Sequence, residues 1–208
     1  MTTTSWIFIA VSALAAGLDW WSVHTGNERI EQGAKPAVLV ALILAVWADE
    51  LSGGEQLWLL VALIAGLFGD VLLLPRVDKF VAGLASFLVG HLAYTGLAAS
   101  IGMRSLWMLV GLLIASSMIA TVGTKITDSL HGTSYFVPVV AYILTIGLTT
   151  TLLVGTGRLL LVSGALLFVV SDALLGYDRF INAAPGGRVA VHATYHLAQI
   201  FLVLGALN

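Results

Sequence analysis

Apolar residues in this chain run in blocks close to twenty long, separated by short polar clusters. The blocks span approximately 6–24, 33–49, 57–75, 80–99, 105–124, 134–153, 157–176 and 189–206. About 20 apolar residues cross a bilayer's hydrocarbon core as a helix, and lipid leaves backbone groups no partner but the helix's own. The pattern therefore predicts an all-α bundle of eight transmembrane helices. The connections are too short to hold a soluble domain, so residues 1–208 form a single transmembrane domain. The second run is the shortest, with Lys35-Pro36 at its start. The first is read as a retained span rather than a signal peptide, because Met1–Ser5 carries no Lys or Arg and the run ends in Asp19-Trp20-Trp21 rather than a small-residue cleavage site.

Composition agrees: 59% of residues are apolar and only 10% charged, where a globular chain carries about 25% charge. A net charge of -2 gives no footprint for nucleic acid, and the absence of Cys excludes disulfides, thiol catalysis and Cys-bound metal. Loop charge sets orientation. Arg29, Lys35, Arg76, Lys79, Lys125, Arg179 and Arg188 fall in odd-numbered connections, against Arg104 and Arg158 in even ones. The positive-inside rule places the odd connections in the cytoplasm and both termini outside. The six Trp residues fall near span ends, where interfacial belts form.

An internal repeat is also legible. Gly69-Asp70, Asp78-Lys79-Phe80 and His91 with Tyr94 align with Ser171-Asp172, Asp178-Arg179-Phe180 and His192 with Tyr195, at offsets of 100 to 102 residues. Spans 3 and 4 thus resemble spans 7 and 8, a four-plus-four arrangement that keeps orientation.

Ionisable groups at membrane depth are costly and face a partner or a cavity. Asp70 and Asp172 are each expected about one turn inside the cytoplasmic ends of spans 3 and 7. Asp19, Lys35, His192, Tyr195, His196 and Gln199 lie on the same side, with His91 and Tyr94 deeper. One polar cavity opening to the cytoplasm would collect them all. The bland alternative for Asp19 and Lys35 is snorkelling at the membrane surface. Gly83, Phe87 and Gly90 follow i, i+4, i+7, which suits close helix contact beside that polar face.

At this point a family resemblance emerges. Lys35-Pro36, Gly69-Asp70, Phe80-x-x-Gly83-x-x-x-Phe87-x-x-x-His91-x-x-Tyr94, Pro138-x-x-x-Tyr142, Gly164-Ala165 with Phe168-x-x-Ser171-Asp172, and Tyr195-x-x-x-Gln199 together resemble the YhhN (lysoplasmalogenase) family, from span 2 to span 8. The resemblance implies a membrane hydrolase that cleaves the vinyl ether bond of lysoplasmalogens to a fatty aldehyde and a glycerophospho-alcohol. It implies Asp70 and Asp172 as the catalytic pair, with no metal or other cofactor. The substrate would be a lysophospholipid drawn from the bilayer, and the setting the plasma (inner) membrane. His192 and His196 fall outside the pattern.

Vinyl ethers are cleaved by acid, so the reaction needs a proton donor and an anion for the cation that follows; two carboxylates can divide these tasks, as in glycosidases. Spacing does not say which aspartate takes which role. His91, Tyr94, Tyr142, Ser171, Tyr195 and Gln199 are expected around the pair, and Lys35 at the substrate phosphate. Two rival readings use the same residues. In a zinc hydrolase, His192 and His196 at i, i+4 would ligate one ion with an aspartate or His91 as third ligand. In a proton-coupled transporter, the intramembrane carboxylates would carry protons.

Overall fold

The computed structural model describes residues 1–208 as eight long helices with no strand. They are α1 (Thr3–Thr25), α2 (Glu28–Trp47), α3 (Gly53–Leu72), α4 (Phe80–Ile101), α5 (Ser105–Ser129), α6 (Phe136–Gly155), α7 (Leu159–Phe180) and α8 (Gly187–Leu207), each long and apolar enough to cross a membrane. The protein is an integral membrane protein.

Local signals explain several boundaries. Gly26, at φ +70°, ends α1 in the left-handed conformation that glycine adopts without strain. The Asn27 side chain then accepts from the Ile30 N–H, and Glu28 and Glu31 complement the positive end of α2. These caps start α2 five residues before the limit that apolarity alone predicts. Lys35 therefore lies two turns inside the helix, and Pro36 is enclosed within it. Within α5, residues Ile119–Gly123 form a π turn.

Of the two aspartates, Asp70 lies near its helix end as expected and Asp172 does not. α3 stops at Leu72, so Asp70 lies in its final turn, whereas α7 continues to Phe180 and leaves Asp172 eight residues, roughly 12 Å, from its end. The polar segment Tyr177-Asp178-Arg179 reads as a loop by hydropathy, yet it continues α7 as a helix.

Consecutive helices pack as hairpins: α1 with α2, α3 with α4, and α7 with α8. Small residues allow the close approach expected for Gly83 and Gly90. A Cβ at Gly83 would stand 2.7 Å from Leu73, and one at Gly90 3.3 Å from the Ala62 carbonyl. α8 is the most buried span and touches α1, α2, α3 and α7, while α5 is the least buried and packs chiefly on α6.

The odd-numbered connections share one face, tied by Arg188 to Glu31, Arg179 to Asp78 at 3.4 Å and Arg76 to Glu28 at 3.8 Å. The opposite face holds both termini: the Met1 ammonium is 4.0 Å from Asp49, and Asn208 Nδ2 donates to Met1 Sδ. Residues aligned between the two halves of the chain meet near the first face, where the Phe80 and Phe180 rings pack edge to face at 5.3 Å.

Candidate active site

Between α2, α3, α4, α7 and α8, a cavity opens toward the face of the odd-numbered connections. Lys35, Asp70, Asp172, Arg188, His192 and Tyr195 line it, with Pro75 and Asp78 from the α3–α4 connection and Arg179 from the end of α7. Asp70 and Asp172 thus reach one cavity from different helices. Asp70 does so from the last turn of α3, and its hydrogen-bond partner Tyr195 lies eight residues into α8.

Each aspartate is held by partners from other helices: Asp70 from α2 and α8, Asp172 from α4 and α6. Tyr195 Oη donates to Asp70 Oδ2 at 3.2 Å, and Lys35 Nζ is 3.6 Å from Asp70 Oδ1. Tyr142 Oη donates to Asp172 Oδ1 at 3.2 Å, and His91 Nε2 is 3.1 Å from Asp172 Oδ2. Behind them, Gln199 Nε2 donates to Tyr195 Oη at 3.2 Å, and Tyr94 Oη donates to Gln199 Oε1. Buried polar side chains that bond one another in this way fix each other's rotamers. Phe168 fills the space among them, with its ring 4.6 Å from His91 and 5.5 Å from Tyr195.

Ser171, expected beside the pair, instead donates to the Val191 carbonyl at 3.1 Å and joins α7 to α8. Lys35 and Asp19 do not snorkel: they are 6% and 0% exposed. Asp19 Oδ2 accepts from His192 Nδ1 at 2.7 Å, which turns His192, a lining residue, into part of a second buried acid–imidazole pair beside the cavity. Trp20 Nε1 donates to His196 Nδ1 at 3.1 Å, so the remaining ring nitrogen of His196 carries its proton. The sequence signal for this group was present, an acid at a span end and two His at i, i+4, but only the packing of α1 on α8 pairs them.

The arrangement expected of a zinc hydrolase is not assembled. His91 pairs with Asp172 rather than joining His192 and His196, and no three His, Asp or Glu side chains converge as metal ligands.

A bundle that brings two hydrogen-bonded carboxylates to one cavity among apolar spans defines a polytopic membrane protein with a polar intramembrane site. The YhhN family model matches residues 30–206, and the chain belongs to that family. Among its relatives, lysoplasmalogenase TMEM86B of Mus musculus is 32% identical over 173 residues, covering 82% of this chain and 72% of the relative. A lysoplasmalogenase of Mycobacterium bovis is 27% identical over 207 residues, 95% of this chain and 78% of that protein. The uncharacterized membrane protein YhhN of Escherichia coli O157:H7 is 28% identical over 158 residues, 74% of this chain and 71% of the relative. No solved structure matches.

Proposed function

We propose that this protein is a lysoplasmalogenase: a membrane hydrolase that cleaves the vinyl ether of a lysophospholipid through acid–base chemistry of Asp70 and Asp172. The observation that carries the reading is the convergence of both carboxylates on one cavity, each with a tyrosine donor; the named relatives supply the substrate class.

One carboxyl group gives its proton to the β-carbon of the C=C–O unit, using the π pair to form the new C–H bond. Positive charge develops on the α-carbon and is shared with the ether oxygen, opposite the second, anionic carboxylate. Water adds to the α-carbon and loses a proton, giving a hemiacetal. Proton transfer to the glycerol oxygen breaks the C–O bond and releases a fatty aldehyde and a glycerophospho-alcohol, while the acid is restored. Tyr142, His91, Tyr195 and Gln199 hold the carboxyl groups in position. At the mouth, Arg188 and Arg179, each beside a carboxylate, offer guanidinium donors to a phosphate headgroup, and Lys35 lines the same cavity against Asp70. The site faces the cytoplasm of the plasma membrane in the orientation that loop charge favours.

The test is a panel of lysolipids, with vinyl ether, saturated ether and ester links, given to purified protein in detergent, with products read by mass spectrometry. Aldehyde from the vinyl ether alone is the expected result. Turnover of the ester instead, or of none, overturns the reading.

A further inference from the structure

A second cavity shares Asp172 with the first as a lining residue. It is a partly open groove among α4, α5, α6 and α7, lined mainly by apolar side chains such as Met118, Ile119, Val122, Ile143 and Ile146. Small residues are part of its wall: Ala115 and Gly123 on α5, Gly147 on α6 and Gly176 on α7. Along α6 it runs from Val139 to Thr150, eleven residues, roughly 16 Å by helix rise, which is about the depth of one leaflet's hydrocarbon. The π turn Ile119–Gly123 contributes Ile119, Val122 and Gly123 to this wall, and α5 is the least buried helix of the bundle.

The two cavities have opposite chemistry. The first is lined by Lys35, Asp70, Arg179, Arg188 and His192; the second has Asp172 as its only charged lining residue. Three residues, Phe80, Asp172 and Leu175, line both. Asp70 lines only the polar one.

We propose that the groove holds the hydrocarbon chain of the lysolipid, with the headgroup in the polar cavity, so that Asp172 is the acid that protonates the vinyl ether. This rests on the lysoplasmalogenase reading only for its second clause. The vinyl ether is the point where a lysoplasmalogen changes from polar to apolar, so a substrate lying across both cavities places that group at their junction. Within it, the β-carbon is on the chain side and the α-carbon on the glycerol side. Asp172, shared with the chain's groove, reaches the β-carbon and donates the proton there. Asp70, confined to the polar cavity with Lys35 and Tyr195, faces the α-carbon where charge develops and water adds. Tyr142, which lines the groove and donates to Asp172 Oδ1, keeps the acid turned toward the chain.

The first test uses the unaltered protein and a saturated-ether lysophospholipid carrying a diazirine near the chain end, which binds without being cleaved. After irradiation, adducts on α5 and α6 around Ala115, Met118 and Gly147 are expected. Adducts on the outer surfaces of α1 and α2, or none within the groove, overturn the assignment. A protein that labels in the groove but releases no aldehyde from any vinyl ether keeps the chain site and refutes the hydrolase reading; one that hydrolyses yet labels elsewhere does the reverse. The second test is Gly147→Leu. Its Cβ would stand 3.1 Å from Ile119 and 3.9 Å from Ala115, two residues that line the groove, so the added bulk takes up space there. Excluding about two methylenes should lower the preference for a sixteen-carbon over an eight-carbon chain by roughly tenfold. An unchanged preference would count against the groove. For the acid itself, residual hydrolysis by Asp172→Asn should rise when a small carboxylic acid such as formic acid is added, and that of Asp70→Asn should not; the opposite pattern exchanges the two roles.

Discussion

At the scale of single residues, the site is a set of buried charges that are tolerated only because each has a partner. Asp70→Asn and Asp172→Asn keep side-chain shape while removing acid–base chemistry, which by itself is worth about 10² to 10⁴ in rate. Each variant should lose at least that much vinyl ether hydrolysis while extracting and eluting as the parent does. The double variant should be little worse than the weaker single one, because groups that act as a unit are not additive. Near-normal turnover by either single variant would end the two-carboxylate mechanism. Lys35 was expected at the substrate phosphate, but its ammonium lies 3.6 Å from Asp70 and is almost fully buried. Removing one partner of such a pair strands the other charge. Lys35→Met is therefore expected to lower kcat more than it raises KM; a rise in KM alone would return Lys35 to the headgroup. Asp19 invites a stability measurement. Asp19→Ala strands the His192 Nδ1 proton in a buried site, a loss of about 1–3 kcal/mol, and the variant should melt below the parent in the same detergent. An unshifted melt would mean that the pair is not held as the distances imply.

At the scale of elements, close helix contact depends on the absence of side chains at a few positions. On α8, a Cβ at Gly205 would stand 2.8 Å from the Leu161 backbone nitrogen of α7, and backbone cannot rotate away as a side chain can. Gly205→Ala should destabilise by about 1–3 kcal/mol through overpacking, whereas Gly33→Ala, with nothing within 4 Å of the added carbon, should leave the melt near that of the parent. Equal shifts at the two positions would show that helix propensity rather than the α7–α8 contact decides. Helix ends illustrate a different limit of sequence reading. Hydropathy marks where apolar residues stop, but caps and tertiary packing mark where helices stop, so α2 begins early at Asn27 and α7 runs on through Asp178 and Arg179. That extension is what carries Arg179 to Asp78 at the cavity mouth.

At the scale of the molecule, eight helices place the termini on one face, where Asn208 reaches Met1. With seven of nine Lys and Arg residues assigned to the opposite side from the sequence, a reporter fused after Asn208 should read as external. A cytoplasmic readout would turn the site outward without changing its chemistry. The number of spans and the intramembrane positions of the two aspartates and most of the polar residues around them were legible in the chain, because lipid solvent forces helix formation wherever apolar runs are long and makes every intramembrane charge conspicuous. The resemblance to the YhhN family rested on the same residues in order. What the chain did not contain was which polar groups pair. The sequence separates Asp19 from His192, His91 from Asp172 and Asp70 from Tyr195 by 173, 81 and 125 residues. Helix periodicity gives each residue a face on its own helix but not the neighbour that face meets. Crossing of α1, α3, α4, α7 and α8 decided those pairs, brought both carboxylates to one cavity despite their unequal distances from helix ends, and left Asp172 alone of the two lining the apolar groove.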